Sequence, residues 1–160
     1  MILFLSTADT DALTLSHVVR SLPPAVVEVR AANPAHLTIE RLADLVEHAD
    51  TAVVLRVLGG RGALESQFDL IRESCRRRQV PFVACSGDAV ADPELAELST
   101  APSQVVQQAF EYLCQGGAAN MRNLLLFLAG APAAAPAEVP WVGVYDRGNP
   151  LPSRLPPREL

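Results

Sequence analysis

An α/β fold, with a parallel sheet covered by helices on both faces, is what this chain of 160 residues predicts. Three observations carry that expectation. Short continuous apolar runs at residues 2–5, 51–58 and 80–85 have the length and composition of fully buried strands. Between them lie longer stretches whose apolar residues recur at intervals of three and four, the helical period. The most apolar run ends in Arg56-Val57-Leu58-Gly59-Gly60-Arg61-Gly62, which puts glycines where a strand hands over to a helix. Strand–helix alternation of this kind pairs successive strands in parallel through right-handed crossovers. The expected arrangement is a flavodoxin-like parallel sheet of about four strands flanked by helices, with extra C-terminal helices and a proline-rich tail.

The elements follow in order. Residues 2–5 form the first strand. Asp9 or Thr10 caps the next helix, whose stripe is Leu15, Val18, Val19 and Leu22, and Pro23-Pro24 stops it. Residues 26–30 are the second strand. Asn33-Pro34 makes a turn, and Thr38 caps a helix with Ile39, Leu42, Ala43 and Val46 on one face. Residues 51–58 are the third strand. The helix after the glycines buries Leu64, Phe68, Ile71 and Cys75, and Arg76-Arg77-Arg78 occupies its last turn, where cations complement the helix dipole. Residues 80–85, introduced by Pro81, make the fourth strand.

The pattern then changes. Ser86-Gly87-Asp88 is a turn and residues 93–98 a short helix. Ser99 or Thr100 caps a longer helix, which carries Pro102 in its first turn and ends at Gly116-Gly117. Residues 121–128 form a last helix, apolar on several faces and so in need of burial on more than one side. The α/β domain is expected over 1–130. Seven of the 13 prolines lie in residues 131–160, the composition of a linker or tail. Within it, residues 141–145 are a short apolar segment, either an edge strand or a strap across the domain.

Composition narrows the chemistry. All 13 basic residues are arginine, so a P-loop lysine, a pyridoxal Schiff base and a lysine nucleophile are excluded. A net charge of −5 with 5% aromatic residues argues against nucleic acid as a partner. No apolar run approaches the roughly 18 residues of a membrane span, and no basic segment precedes the opening apolar run, so a cytoplasmic location is expected. Cys75, Cys85 and Cys114 form no paired motif and read as free thiols, the first two in the core. His17, His36 and His48 fall on separate elements, and Asp88, Asp92, Glu94 and Glu97 suit a solvated helix start. Neither a metal site nor a catalytic set is expected.

The glycine loop is not a dinucleotide fingerprint, because Glu65 stands where the third glycine belongs. It is either a tight strand-to-helix turn or a rim from which Arg56 and Arg61 meet a carboxylate-bearing ligand, a task that suits the forked guanidinium. An arginine within a buried strand also suits an internal carboxylate partner. The first loop, Ser6-Thr7-Ala8-Asp9-Thr10-Asp11, lies where a flavodoxin holds flavin phosphate. Its two acids oppose a phosphate and are expected to serve the helix N-terminus. A phosphorelay receiver is disfavoured, since Arg56 takes the place of its aspartate and the later lysine is missing. Asn120 and Asn123 are a cap and a packing contact, or polar groups facing a ligand cleft.

Two motifs taken together carry a resemblance. Residues 56–62, followed by Leu98-Ser99-Thr100 through Tyr112-Leu113-Cys114-Gln115-Gly116-Gly117 to Asn120-Met121-Arg122-Asn123-Leu124-Leu125, are similar to the N-terminal region of the ATP-dependent cobaltochelatase large subunit. That subunit is a relative of the magnesium-chelatase porphyrin-binding subunit. The likeness runs from the Leu-Ser-Thr-Ala-Asp-Thr start at Leu5 to about Leu128. It implies a domain that helps to hold a corrin precursor, hydrogenobyrinic acid a,c-diamide, while cobalt(II) is inserted. ATP is then hydrolysed by partner subunits, and a larger C-terminal body completes the subunit. Arg56, Gly59, Gly60, Arg61, Ser99, Thr100, Asn120 and Asn123 are the residues expected at the substrate. No cofactor is expected on this chain itself. The competing expectations are a non-catalytic interaction or lid domain that docks partner subunits, and a small flavodoxin-type ligand-binding module.

Overall fold

The computed structural model describes residues 1–23 and 26–138, without the side chains of residues 61 and 63. Pro24 of the expected helix stop, the apolar segment 141–145 and the rest of the tail from residue 139 lie outside the described residues. Four strands, β1 (Ile2–Ser6), β2 (Val29–Ala32), β3 (Ala52–Val57) and β4 (Phe82–Ser86), form one parallel sheet in the order β2-β1-β3-β4. This is the expected flavodoxin-like order. The helices among the described residues are α1 (Asp9–Val19), α2 (Ile39–His48), α3 (Glu65–Arg78), α4 (Pro93–Leu98), α5 (Ser103–Gln115) and α6 (Gly117–Leu128).

Side chains alternate across a strand, so a strand buried on both faces must be apolar throughout. Ile2, Phe4, Ala52, Val54, Val83 and Cys85 face α1, α5 and α6. Leu3, Leu5, Val53, Leu55, Val57, Phe82 and Ala84 face α2, α3 and Leu95 of α4. Phe68 meets Phe82 edge to face, with ring centroids 5.5 Å apart. The expected inward stripe of α3, Leu64 through Cys75, is fully buried. Helix α6 is sandwiched between α1 and α5, and this satisfies its several apolar faces within the domain.

Some boundaries differ from expectation. The second strand starts at Val29, because Val26 and Val27 meet the core from a turn in which Val26 N–H donates to Pro23 O. Ala8 occupies the cap position of α1 without a side-chain bond, which leaves Asp9 and Thr10 inside the first turn. Val19 and Ile39, assigned to inward stripes, are 37% and 42% exposed. Thr38 does cap α2, its hydroxyl accepting from Arg41 N–H at 3.3 Å. Gly116 and Gly117, with φ of 66° and 78°, form a corner between two helices, so α6 opens four residues before the expected start. Both angles lie where glycine is favoured.

Ser99 and Thr100 do not cap α5, whose cap position is Pro102. They run beside β4, the sheet's edge. Phe82 N–H donates to Thr100 Oγ1 at 3.0 Å and Ala84 N–H to Ser99 Oγ at 2.9 Å, while Thr100 N–H and Ala101 N–H donate to Phe82 O. Residues 131–138 have neither helix nor strand, yet they are fastened to the domain. Tyr112 Oη donates to Ala134 O at 2.6 Å, and the Asn120 side chain exchanges two hydrogen bonds with the Ala137 backbone.

A glycine rim at the carboxyl end of the sheet

Parallel strands bring their carboxyl ends, and the loops that leave them, to one rim. Here the rim is held by a buried charge network. In the sheet register Ser6 lies opposite Arg56, and Arg56 opposite Cys85, so the three side chains share one face. Asp11 descends from the first turn of α1 into that row. Arg56 Nη1 donates to Asp11 Oδ1 at 2.8 Å and Nη2 to Gly87 O at 3.2 Å. Ser6 Oγ donates to Asp11 Oδ2 at 2.6 Å and accepts from Ala8 N–H. The Arg56 and Asp11 side chains are 17% and 9% exposed. One network therefore ties α1 and the loops after β1, β3 and β4 together.

Backbone bonds complete the rim. Leu58 N–H donates to Thr7 Oγ1 at 2.9 Å, Thr7 N–H to Arg56 O, and Gly87 N–H to Val57 O at 2.6 Å. Gly59 and Gly60 follow with φ of 79° and 81° and open space where a Cβ would stand. Their requirement is conformational, since only glycine adopts two such angles without strain. Gly87 is needed for closeness instead, because a Cβ there would fall 2.5 Å from Leu58 Cδ2. The chain then enters a 3-10 turn, Arg61–Leu64, that leads into α3.

The structure does not gather the expected substrate residues into one cluster. Gly59, Gly60 and the Arg61 backbone stand at the rim, while the Arg61 side chain lies outside the description. Arg56 turns inward, its Nη1 and Nη2 engaged by Asp11 and Gly87 while its buried Nε has no hydrogen-bond partner among the described residues. Ser99 and Thr100 serve the edge of β4. Asn120 is buried against Gly116 O and Ala137, and Asn123 lies half-buried one turn further along α6. Asp11, expected to serve the helix N-terminus, does stand in the first turn of α1, and it is also the carboxylate that pairs with Arg56, a role not assigned to it from sequence. Its one signal was an arginine inside a buried strand that needed a carboxylate.

Burial pushes the Cys85 thiol up to about 12 against the opposing effect of Arg56, and pushes Cys75 up to about 12 as well. Both stay protonated and unreactive at neutral pH. Among the described residues, no group of three or more His, Cys, Asp or Glu is placed to hold a metal ion, and no helix is long and apolar enough to cross a membrane. An apolar cleft of about 290 Å³ opens between β4, α4 and α5, lined by Cys85, Ala91, Ala96, Val106 and Phe110, with Asp92 and Glu97 also in its wall. Its walls come from three separate elements, so no sequence motif marked it.

The strand order and the loops gathered at one rim define a flavodoxin-like α/β domain. No family model matches the chain. In structure it is similar to the catalytic subunit of cobaltochelatase from Mycobacterium tuberculosis, with a TM-score of 0.75 and 33% identity over 91% of this chain and 12% of that one. The aerobic cobaltochelatase subunit CobN of Pseudomonas aeruginosa is 27% identical over 133 residues, which is 80% of this chain and 10% of that protein. An uncharacterised protein of Methanocaldococcus jannaschii is 26% identical over 154 residues. The resemblance to the N-terminal region of the cobaltochelatase large subunit therefore holds over most of the chain. The chain spans about a tenth of the length of the relatives it matches.

Proposed function

We propose that this chain works as a non-catalytic domain of a cobaltochelatase-type large subunit and offers its glycine rim to the corrin precursor. The subunit as a whole holds hydrogenobyrinic acid a,c-diamide while cobalt(II), a substrate, is inserted. Partner subunits hydrolyse the ATP, a division of labour that suits a chain without lysine. The observation that carries this reading is the likeness to the M. tuberculosis catalytic subunit at 33% identity, joined to an open rim at Gly59 and Gly60. Ligands of open parallel sheets bind outside the carboxyl ends of the strands, which is where these glycines lie. Arg61, next in the chain, supplies a cation for the carboxylates of the precursor.

A second reading has its own support. Arg56, Ser99, Thr100 and Asn120 are all engaged within the domain, which favours an interaction or lid domain that never touches the tetrapyrrole. Titration of the precursor into a full-length subunit carrying this domain, with and without Arg61→Ala, separates the two. A charged hydrogen bond of about 1.5–3 kcal/mol corresponds to a roughly tenfold to hundredfold loss of affinity. The substrate reading expects that loss with an unchanged melting temperature. Unchanged affinity assigns the rim to docking.

A further inference from the structure

We propose that the open edge of the sheet at β2 is a self-association surface, on which β2 of a second copy of this chain pairs antiparallel across a two-fold axis. The proposal is independent of the rim and of any role in metal insertion.

The sheet has two edges, and the chain closes one of them. Ser99 and Thr100 supply acceptors to the outward amides of β4. Strand β2 has no such cover among the described residues. Ile2 N–H donates to Glu28 O, and Ile2 lies opposite Val29 in the register. In a parallel ladder the bonds to β1 then run through residues 28, 30 and 32, which turns the N–H and C=O of Val29 and Ala31 to the free edge. The usual guards of an edge are missing, since Val29–Ala32 holds no proline, no lysine and no bulge.

The side chains beside that edge are apolar. Val29 and Ala31 face α1, and with Ala12, Leu15 and Val19 of that helix they line a groove of about 340 Å³. Val19 is 37% exposed, and Ala31 is exposed as well. Helix α1 lies over both β1 and β2. With strands about 4.8 Å apart, a two-fold seam at β2 sets the two α1 helices about 10 Å apart, a normal packing distance. Val19, which shares the groove with Val29, is then covered by its counterpart in the second copy.

Charge selects the register, and with it the occupant. Glu28 and Arg30 are 62% and 51% exposed and pair with each other at 3.0 Å. Side chains alternate along the strand, so both stand on the face opposite α1. A two-fold register with Val29 opposite Val29 lets these two residues exchange both backbone bonds, and it sets Glu28 of each copy opposite Arg30 of the other. Centring the pairing on Arg30 sets two arginines directly opposite, which is unfavourable, and centring it on Ala31 gains no charge pair. An edge that carries its own complementary charge at the matching spacing fits a second copy of itself.

Sedimentation equilibrium of the 160-residue protein should show a mass that rises with concentration from 17.1 kDa toward twice that value. Amide exchange at Val29 and Ala31 should slow over the same range. Glu28→Arg turns both cross-strand attractions into repulsions and should raise the dissociation constant roughly tenfold, and Glu28→Arg combined with Arg30→Glu should restore it. Ala31→Pro removes an edge-facing N–H and should abolish the dimer with the far-ultraviolet circular dichroism unchanged. The charge variants stand at exposed positions and keep the test open if the proline variant fails to fold. A mass of 17.1 kDa at every concentration overturns the proposal. So does a dimer indifferent to Glu28→Arg, or a charge exchange that restores nothing. Exchange at Val29 and Ala31 that is already slow in the monomer overturns it too, and assigns the edge to a segment of the same chain.

Discussion

Arg56 is the residue on which the rim depends. Its charge lies within the sheet, and its tolerance there rests on Asp11, whose two oxygens are taken by Arg56 and Ser6. Removing one member of a mostly buried pair leaves the other uncompensated, at a cost of about 3 kcal/mol, whereas replacing both by apolar groups of similar size is often neutral. Asp11→Leu and Arg56→Met should each lower stability by about that amount in urea unfolding, and the double variant by clearly less than their sum. Additive losses would show that the two groups contribute separately, through Ser6 and Gly87. The same pair marks the reach of sequence reading. An arginine in an apolar strand announces a carboxylate, but Asp9 and Asp11 look alike in sequence. Helix phase alone turns one outward and the other in.

At the scale of elements, the strands and helices were legible because both sheet faces are covered, so that β1, β3 and β4 are short continuous apolar runs while the helices keep apolar residues at intervals of three and four. The boundaries that slipped share a cause. Val26, Val27 and Leu22 meet the core from turns, and an apolar residue in a buried turn is indistinguishable from one in a strand or helix. Ser99 and Thr100 were misread for a different reason. Hydroxyls ahead of a helix usually cap it, but here an exposed strand edge lies within reach and takes them instead. An open edge invites pairing with other chains, and closing it with side-chain hydroxyls answers that hazard. Ser99→Ala with Thr100→Val should strip two β4 amides of their acceptors, at about 1–3 kcal/mol for each amide left without one. Amide exchange at Phe82 and Ala84 should accelerate more than exchange in β1. Equal acceleration in both strands would mean a global loss of stability with no local edge effect.

For the molecule as a whole, α2 and α3 form the outer layer on one face, and Glu47 joins them. Ser74 Oγ donates to Glu47 Oε1 at 2.7 Å, Arg77 pairs with the same oxygen, and Arg78 Nη1 donates to Val46 O at 2.8 Å. The Ser74 hydroxyl first, and then the Arg77 and Arg78 charges, hold the Glu47 carboxyl below its ordinary value of 4.5. A carboxyl lowered by folding binds fewer protons in the native state than in the unfolded one. Its stabilising effect is therefore complete above pH 4.5 and fades as pH falls through the lowered native value. Glu47→Gln should melt below the unsubstituted protein at neutral pH, and the two melting curves should converge as the solution is acidified below that point. Glu47 is exposed, so molar salt should narrow the neutral-pH gap by screening the two arginines while the Ser74 hydrogen bond keeps part of it. A gap that stays constant from pH 7 to pH 3 would place the effect of the substitution in packing between α2 and α3, with no contribution from the charge.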